Sequence, residues 1–129
     1  MGRTPPDRQR AERAGRFAEL LALGYLLVTG HRVLARRYRS PVGELDLVVR
    51  RGGVIIFCEV KFRQMAGQDG LPSPRQRQRI CRAAQDCITR RHISPEFECR
   101  IDLIRITPLS LRGGLPLHHL RGAWWCDPA

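Results

Sequence analysis

Residues 43–63 read GELDLVVRRGGVIIFCEVKFR and decide the fold. Two apolar runs, residues 43–50 and 54–62, flank the pair Gly52-Gly53. Glycine readily adopts the positive φ angles that a tight two-residue turn requires. The stretch therefore predicts an antiparallel hairpin with both glycines in its loop.

The register of this hairpin brings four charged residues together. If Arg51 faces Val54, then Asp46 lies opposite Glu59 and Glu44 lies opposite Lys61. Side chains on a strand alternate between its faces, so all four would share one polar patch. Facing carboxylates on paired strands destabilise a sheet, so a positive charge is expected there, either Lys61 or a divalent metal such as Mg²⁺. The competing interpretation is an exposed edge with a Glu44–Lys61 ion pair.

Lysine usage favours a chemical role for this patch. The chain has 23 basic residues, of which 22 are arginine and Lys61 is the single lysine. Arginine stays protonated, whereas the lysine amine can position a water, exchange a proton or stabilise a phosphoryl oxygen. A lone lysine two residues after Glu59 therefore indicates that an amine is needed at that point.

Composition limits the classes of protein that are possible. At 129 residues with a net charge of +11, the chain is expected to be one domain, 1–129, that meets a polyanion, most often nucleic acid. An N-terminal arm of about six residues is expected to be flexible.

No apolar run is long enough to span a membrane and no apolar signal core is present, so a cytoplasmic protein is expected. The five cysteines contain no CxxC pair, which predicts reduced core thiols and no zinc site.

Two helices are expected around the hairpin. From Asp7, the residues expected to form the apolar stripe of the first helix are Phe17, Leu20, Leu21, Leu23, Leu27 and Val28, with Gly30 as its cap. Glu19 interrupts that stripe, either as a solvated border residue or as a carboxylate reaching the hairpin patch. Ser73-Pro74 opens the second helix, whose apolar stripe is Ile80, Ala83, Ala84, Cys87 and Ile88.

Arginines cluster on the second helix and around the strands, either as solvated faces or as phosphate-binding surfaces. The candidates for binding nucleic acid are Arg36, Arg37, Arg39, Arg63, Arg75, Arg79 and Arg82. Further strands are expected at residues 31–39, 98–106 and 117–120. Asp102 is expected to form a structural ion pair with Arg100 or another arginine. The fold class is α/β, with a mixed sheet of four to five strands, a central antiparallel hairpin and two main flanking helices.

The segments GELDL at 43–47 and FCEVKFR at 57–63 resemble the YraN-like family of small bacterial proteins, within the restriction-endonuclease-like PD-(D/E)XK superfamily. The resemblance extends to GRFAE at 15–19, ARRYR at 35–39 with Arg37 where Asn is usual, RID at 100–102 and GAW at 122–124. It implies a nuclease-like core along almost the whole chain.

The resemblance also implies roles for individual residues. Asp46 and Glu59 would bind Mg²⁺ or Mn²⁺ together with Glu19, and Lys61 would be the catalytic amine. Glu44 and Gln76 would support the site, Gln76 standing where the family commonly has lysine. The expected activity is metal-dependent hydrolysis of phosphodiester bonds in DNA, including branched or structured DNA. The alternatives are a catalytically silent nucleic-acid-binding module with this fold, and a basic scaffold that docks onto another protein.

Overall fold

A computed structural model describes residues 5–63, 70–107 and 116–127 of the chain. The elements are α1 (Pro5–Val28), β1 (Arg32–Ser40), β2 (Gly43–Arg51), β3 (Val54–Phe62), α2 (Pro74–Arg90), β4 (Glu98–Ile106) and β5 (Leu117–Trp124). They form one five-stranded mixed sheet in the order β1-β2-β3-β4-β5, which confirms the predicted α/β class. Helix α1 begins at Pro5, and residues 1–4 of the predicted arm lie outside the described residues.

The predicted hairpin is present at the centre of this sheet. Strands β2 and β3 pair antiparallel from Arg51–Val54 to Leu47–Cys58, in the predicted register, and Gly52 has a φ of 58° in the turn. On its other side β3 pairs with β4 in parallel, through a crossover that contains α2. The strand that carries Glu59 is therefore covered by a neighbour on both edges.

The sheet has an apolar core on each face. The α2-side core contains Ile80, Ala83, Ala84 and Cys87 of α2 packed on Leu45, Val48, Ile55, Phe57, Ile101, Leu103 and Trp124. The α1-side core contains Ala18, Ala22 and Leu26 of α1 packed on Leu47, Val49, Ile56, Cys58, Val60, Ile104 and Ile106. The predicted apolar stripe of α2 is confirmed, with Ile88 at its partly buried margin.

The predicted apolar stripe of α1 is wrong. Phe17 and Leu20 are more than half exposed, and Val28 is 84% exposed. The helix instead buries Ala18, Ala22 and Leu26, which recur every four residues. Small alanine side chains let the helix backbone approach the sheet closely, so residue size at this interface outweighs hydrophobicity.

Helix α2 approaches the sheet most closely at the start of β2. A Cβ atom on Gly43 would lie 2.7 Å from the carbonyl oxygen of Arg79. The contacted oxygen belongs to the backbone of Arg79, so rotating a side chain cannot relieve the clash. Gly43 therefore fixes how near α2 comes to the strand that carries Asp46.

The cysteine prediction is wrong for two of the five residues. Cys81 in α2 and Cys126 after β5 form a disulfide with a Cα–Cα distance of 5.6 Å. Cys58, Cys87 and Cys99 are free thiols, and Cys58 and Cys87 are buried as predicted. The disulfide ties the C-terminal segment to the second helix.

Asp102 forms the structural ion pair that the sequence predicts. It is fully buried, and Arg100 donates to its two oxygens at 2.8 and 3.1 Å. His119 Nε2 lies 2.6 Å from Asp102 Oδ2, and the Gly122 N–H donates to Oδ1 at 3.0 Å. Burial opposes ionisation, but hydrogen bonds from His119, Arg100 and Gly122 outweigh it and lower the pKa of Asp102 to about 2.

Candidate active site

The alternation of side chains along β2 fails at Asp46. Leu45 and Val48 belong to the α2-side core, whereas Leu47 and Val49 belong to the α1-side core. Residues two apart on a regular strand share a face, so β2 is irregular between Leu45 and Leu47. Asp46 lies at that irregularity.

The carboxylate of Asp46 takes the place of a strand partner for β3. The paired residues of β2 and β3 end at Leu47–Cys58. Beyond that point the backbone N–H of Val60 donates to Asp46 Oδ2 at 2.7 Å. The side chain of Asp46 is therefore held between the two strands by a backbone group, a fixed position for a functional carboxylate.

Glu59 and Lys61 meet Asp46 from the central strand. Alternate β3 residues Ile55 and Phe57 face the α2-side core, which places Glu59 and Lys61 on the same side. Lys61 Nζ lies 3.2 Å from Glu59 Oε1, with the Glu59 side chain 9% and the Lys61 side chain 22% exposed. The three groups that sequence reasoning selected as catalytic are thus brought together.

Both carboxyl groups have perturbed ionisation. Burial, the negative charge of Asp46 and a hydrogen bond that protonated Glu59 donates to Asp46 raise the pKa of Glu59 to about 8, although Lys61 opposes the rise. Burial also raises the pKa of Asp46, against the hydrogen bonds from Val60 and Glu59. A buried glutamic acid beside a half-buried aspartate retains a proton at neutral pH unless additional positive charge arrives.

Glu19 lies at the margin of this pair. Its charge contributes to the raised pKa of Asp46, so it is near enough to act on that group. Its own closest charged partner is Arg37, whose Nε donates to Glu19 Oε2 at 3.0 Å. Glu19 is thus ion-paired with an arginine of β1 that the sequence did not reveal as a partner, and its reach toward the hairpin patch stays a prediction.

Glu44 does not take the predicted position. It pairs with Arg39 across β1 and β2, at 3.7 Å between Oε1 and Nε, and its side chain is 70% exposed. The expected contact with Lys61 is wrong because β2 and β3 separate before Glu44 is reached. Gln76 is half-buried in the first turn of α2, where its N–H donates to Ser73 Oγ at 3.2 Å. Its supporting role stays a prediction.

The predicted nucleic-acid-binding arginines lie on three elements. Arg36, Arg37 and Arg39 are exposed on β1, Arg63 is half-buried directly after β3, and Arg75, Arg79 and Arg82 are exposed on α2. Both β1 and α2 pack against β2, the strand of Asp46. The arginine surfaces therefore flank the strand that carries the first carboxylate.

The donor chemistry of Asp46 and Glu59 fits a hard divalent cation. Mg²⁺ is usually held by one or two carboxylates, with water and substrate oxygens completing its shell. A buried acid, Glu59, and a half-buried one, Asp46, both with raised pKa values, match the first requirement, since a cation between them would displace the retained proton. No set of three or more His, Cys, Asp and Glu side chains is positioned to hold an ion in the part of the chain that the structure describes. The fit of the site to a divalent cation therefore rests on the two carboxylates of Asp46 and Glu59.

A second buried polar chain involves residues to which sequence reasoning gave no joint role. His119 bridges Asp102 and Tyr25, with its Nδ1 2.7 Å from the Tyr25 hydroxyl. The neighbouring residue His118 is exposed. The alternation rule gives the opposite directions of the two histidines, but the contact with Tyr25 joins β5 to α1 across 94 residues and has no local signal.

The fold and the site define an α/β protein with two adjacent carboxyl groups, Glu59 buried and Asp46 half-buried, and a lysine on the central strand, an architecture consistent with the restriction-endonuclease-like fold. Within residues 5–63, 70–107 and 116–127, no helix is both long enough and apolar enough to cross a bilayer. Residues 18–106 match the model of the Uncharacterised protein family UPF0102, and the chain belongs to this family, which confirms the YraN-like resemblance.

The chain is also similar to individual members along most of its length. A UPF0102 protein of Rhodopseudomonas palustris strain BisB18 is 43% identical over 112 residues, 86% of this chain and 83% of the relative. One from Bradyrhizobium diazoefficiens is 45% identical over 107 residues, 82% of this chain and 80% of the relative. One from Maricaulis maris is 41% identical over 119 residues, 91% of this chain and 89% of the relative.

Proposed function

We propose that the protein is a metal-dependent endonuclease that hydrolyses phosphodiester bonds in DNA. The observation that carries the proposal is the meeting of Asp46, Glu59 and Lys61 where β2 and β3 separate. A purely structural ion pair would not need a second carboxyl group, that of Asp46, whose charge raises the cost of ionising the buried Glu59. Perturbed ionisation of this kind is typical of functional sites.

Each of the three groups has a distinct task in this proposal. Asp46 and Glu59 hold the ion, and the Val60 N–H keeps Asp46 oriented while it does so. A bound Mg²⁺ or Mn²⁺ supplies Lewis-acid polarisation of the phosphate and lowers the pKa of an attacking water. Lys61 Nζ, already 3.2 Å from Glu59, orients that water or stabilises the charge that develops on the phosphoryl oxygens.

Binding of DNA rests on the arginines and the net charge of +11. Guanidinium groups on β1 and α2 contact phosphates without reading bases, so the enzyme would recognise backbone shape more than sequence. Affinity is then expected to fall steeply with salt, because each neutralised phosphate releases condensed counterions. This dependence would accompany either cleavage or simple binding.

The direct test is incubation of the purified protein with supercoiled, single-stranded and branched DNA in Mg²⁺ or Mn²⁺. We expect strand scission that Asp46→Ala and Lys61→Met abolish. Glu98→Ala is the matched control for charge, since Glu98 is an exposed acid at the far end of β4, paired with Val54. Absence of scission on every substrate, or full scission by Asp46→Ala, would refute the proposal.

A second candidate, a catalytically silent nucleic-acid-binding module, is favoured by one specific observation. The carboxylate of Glu19 is already neutralised by Arg37 at 3.0 Å. This function predicts salt-sensitive DNA binding that is unchanged or improved by Asp46→Asn, which removes a negative charge near the DNA. Calorimetric titration of Mn²⁺ into wild type and Asp46→Asn separates the two candidates, because only the nuclease requires a metal at Asp46.

A further inference from the structure

Arg37 has an unusual backbone conformation for a residue within a strand. Its φ of 50° lies in the left-handed region, which non-glycine residues seldom occupy. The residues beside it pair normally, Arg36 with Leu47 and Tyr38 with Leu45, so Arg37 lies opposite Asp46. Residues are held in such conformations when the surrounding structure enforces them, and these cases concentrate at functional sites.

The side chain of Arg37, which lies opposite Asp46 in the strand register, pairs with Glu19 of α1. Its Nε donates to Glu19 Oε2 at 3.0 Å, and the two side chains are 48% and 22% exposed. Glu19 in turn acts electrostatically on Asp46. Arg37 is therefore bound to an acidic residue whose charge acts on Asp46, one of the two proposed metal ligands.

We propose that Arg37 is an internal counter-cation that competes with the divalent metal for Glu19 and so sets the metal affinity of the site. The inference rests on the proposed function, since it concerns access of the metal to the same carboxylates. When the ion binds Asp46 and Glu59, Glu19 can join its shell only if the Arg37–Glu19 ion pair opens. Arg37 is thus a positioning residue, because it acts through Glu19.

The partial exposure of the pair makes this exchange feasible. A fully buried pair would be too costly to break, whereas a half-exposed guanidinium can be solvated as it leaves. Arginine at this position also cannot lose its proton, so the competition persists across the physiological pH range. The consequence is a site that binds metal more weakly than its acidic side chains alone would allow.

The test is calorimetric titration of Mn²⁺ at low salt into wild type and Arg37→Asn. Asparagine tolerates the left-handed conformation, so this variant removes the guanidinium without adding backbone strain. We expect Arg37→Asn to bind Mn²⁺ about two- to fivefold more tightly, the range of a partly exposed ion pair. Arg37→Lys, which keeps the charge, is expected to restore an affinity close to that of wild type.

Two further proteins separate a specific contact from a general effect of charge. Arg32→Asn removes one positive charge from the exposed start of the same strand and is expected to leave the Mn²⁺ affinity unchanged. In a Glu19→Gln background, Arg37→Asn is expected to lose most of its effect, because no carboxylate remains for the two cations to share. Thermal unfolding of each variant without metal verifies that it is folded.

The outcomes distinguish this inference from the proposed function. Mn²⁺ binding that requires Asp46 but is equal or weaker in Arg37→Asn would overturn the role of Arg37 and leave the nuclease proposal intact. An equal gain from Arg32→Asn, or an undiminished gain in the Glu19→Gln background, would overturn it as well. Absence of Asp46-dependent Mn²⁺ binding in wild type would overturn both.

Discussion

Replacing Glu59 with glutamine should change the pH dependence of stability in a defined direction. Glu59 is buried beside Asp46, and its pKa is raised from 4.5 to about 8. Between these two values the folded state retains a proton that the unfolded state releases. The free energy of unfolding of the wild type must therefore fall as pH rises from about 5 to about 8.

The magnitude follows from the same shift. At about 1.4 kcal/mol for each unit, ionised Glu59 costs the fold about 4 to 5 kcal/mol once the pH is above its folded pKa. Glutamine keeps the shape and removes this cost, in which the opposing effect of Lys61 at 3.2 Å is already included. We expect Glu59→Gln to be more stable than wild type by about 4 kcal/mol near pH 8, and by less than about 1 kcal/mol near pH 5.

Urea-induced unfolding followed by circular dichroism, repeated from about pH 5 to about pH 8, measures this directly. Addition of Mn²⁺ at the upper pH should restore the stability of wild type and leave Glu59→Gln almost unaffected, because a bound cation replaces the retained proton. If the two proteins lose stability in parallel over this range, Glu59 does not carry the raised pKa and the electrostatic reasoning fails.

Two further predictions concern the scaffold of the site. Gly43→Ala should lower the free energy of unfolding by about 1 to 3 kcal/mol in urea denaturation, because its Cβ would meet the Arg79 carbonyl at 2.7 Å; an unchanged midpoint would show that α2 can move away. Asp102→Asn should cost about 3 kcal/mol, since it leaves Arg100 without a buried counter-charge and weakens the contact with His119. A loss below about 1 kcal/mol in the same assay would show that the network is not stabilising.

Much of the fold can be predicted from local pattern. The glycine pair specifies the hairpin and its register, and Ser73-Pro74 with the spacing of Ile80 and Cys87 specifies α2. The face of α1 cannot be predicted this way. Several of its large apolar side chains are exposed, although Leu26 is buried together with Ala18 and Ala22, because the distance between helix and sheet is set by partners distant in sequence.

The candidate site likewise contains some residues whose positions local pattern predicts and others whose positions it does not. Asp46, Glu59 and Lys61 follow from the hairpin register because they lie on strands joined by one short turn. The predicted position of Glu44 is wrong because regular pairing does not continue past the point where β2 and β3 separate. The left-handed conformation of Arg37 has no sequence signature, because arginine is not a residue that normally favours it.

The hydrogen bond from Val60 to Asp46 makes one backbone amide a natural spectroscopic reporter. Its nitrogen lies 2.7 Å from Oδ2 of Asp46, in the carboxylate proposed to bind metal. Any ion, proton or substitution that draws electron density from that oxygen must alter the amide chemical shift and its rate of exchange with deuterated water. In a ¹⁵N-labelled sample, this single resonance would follow occupancy of the pocket without an added probe and without any substrate.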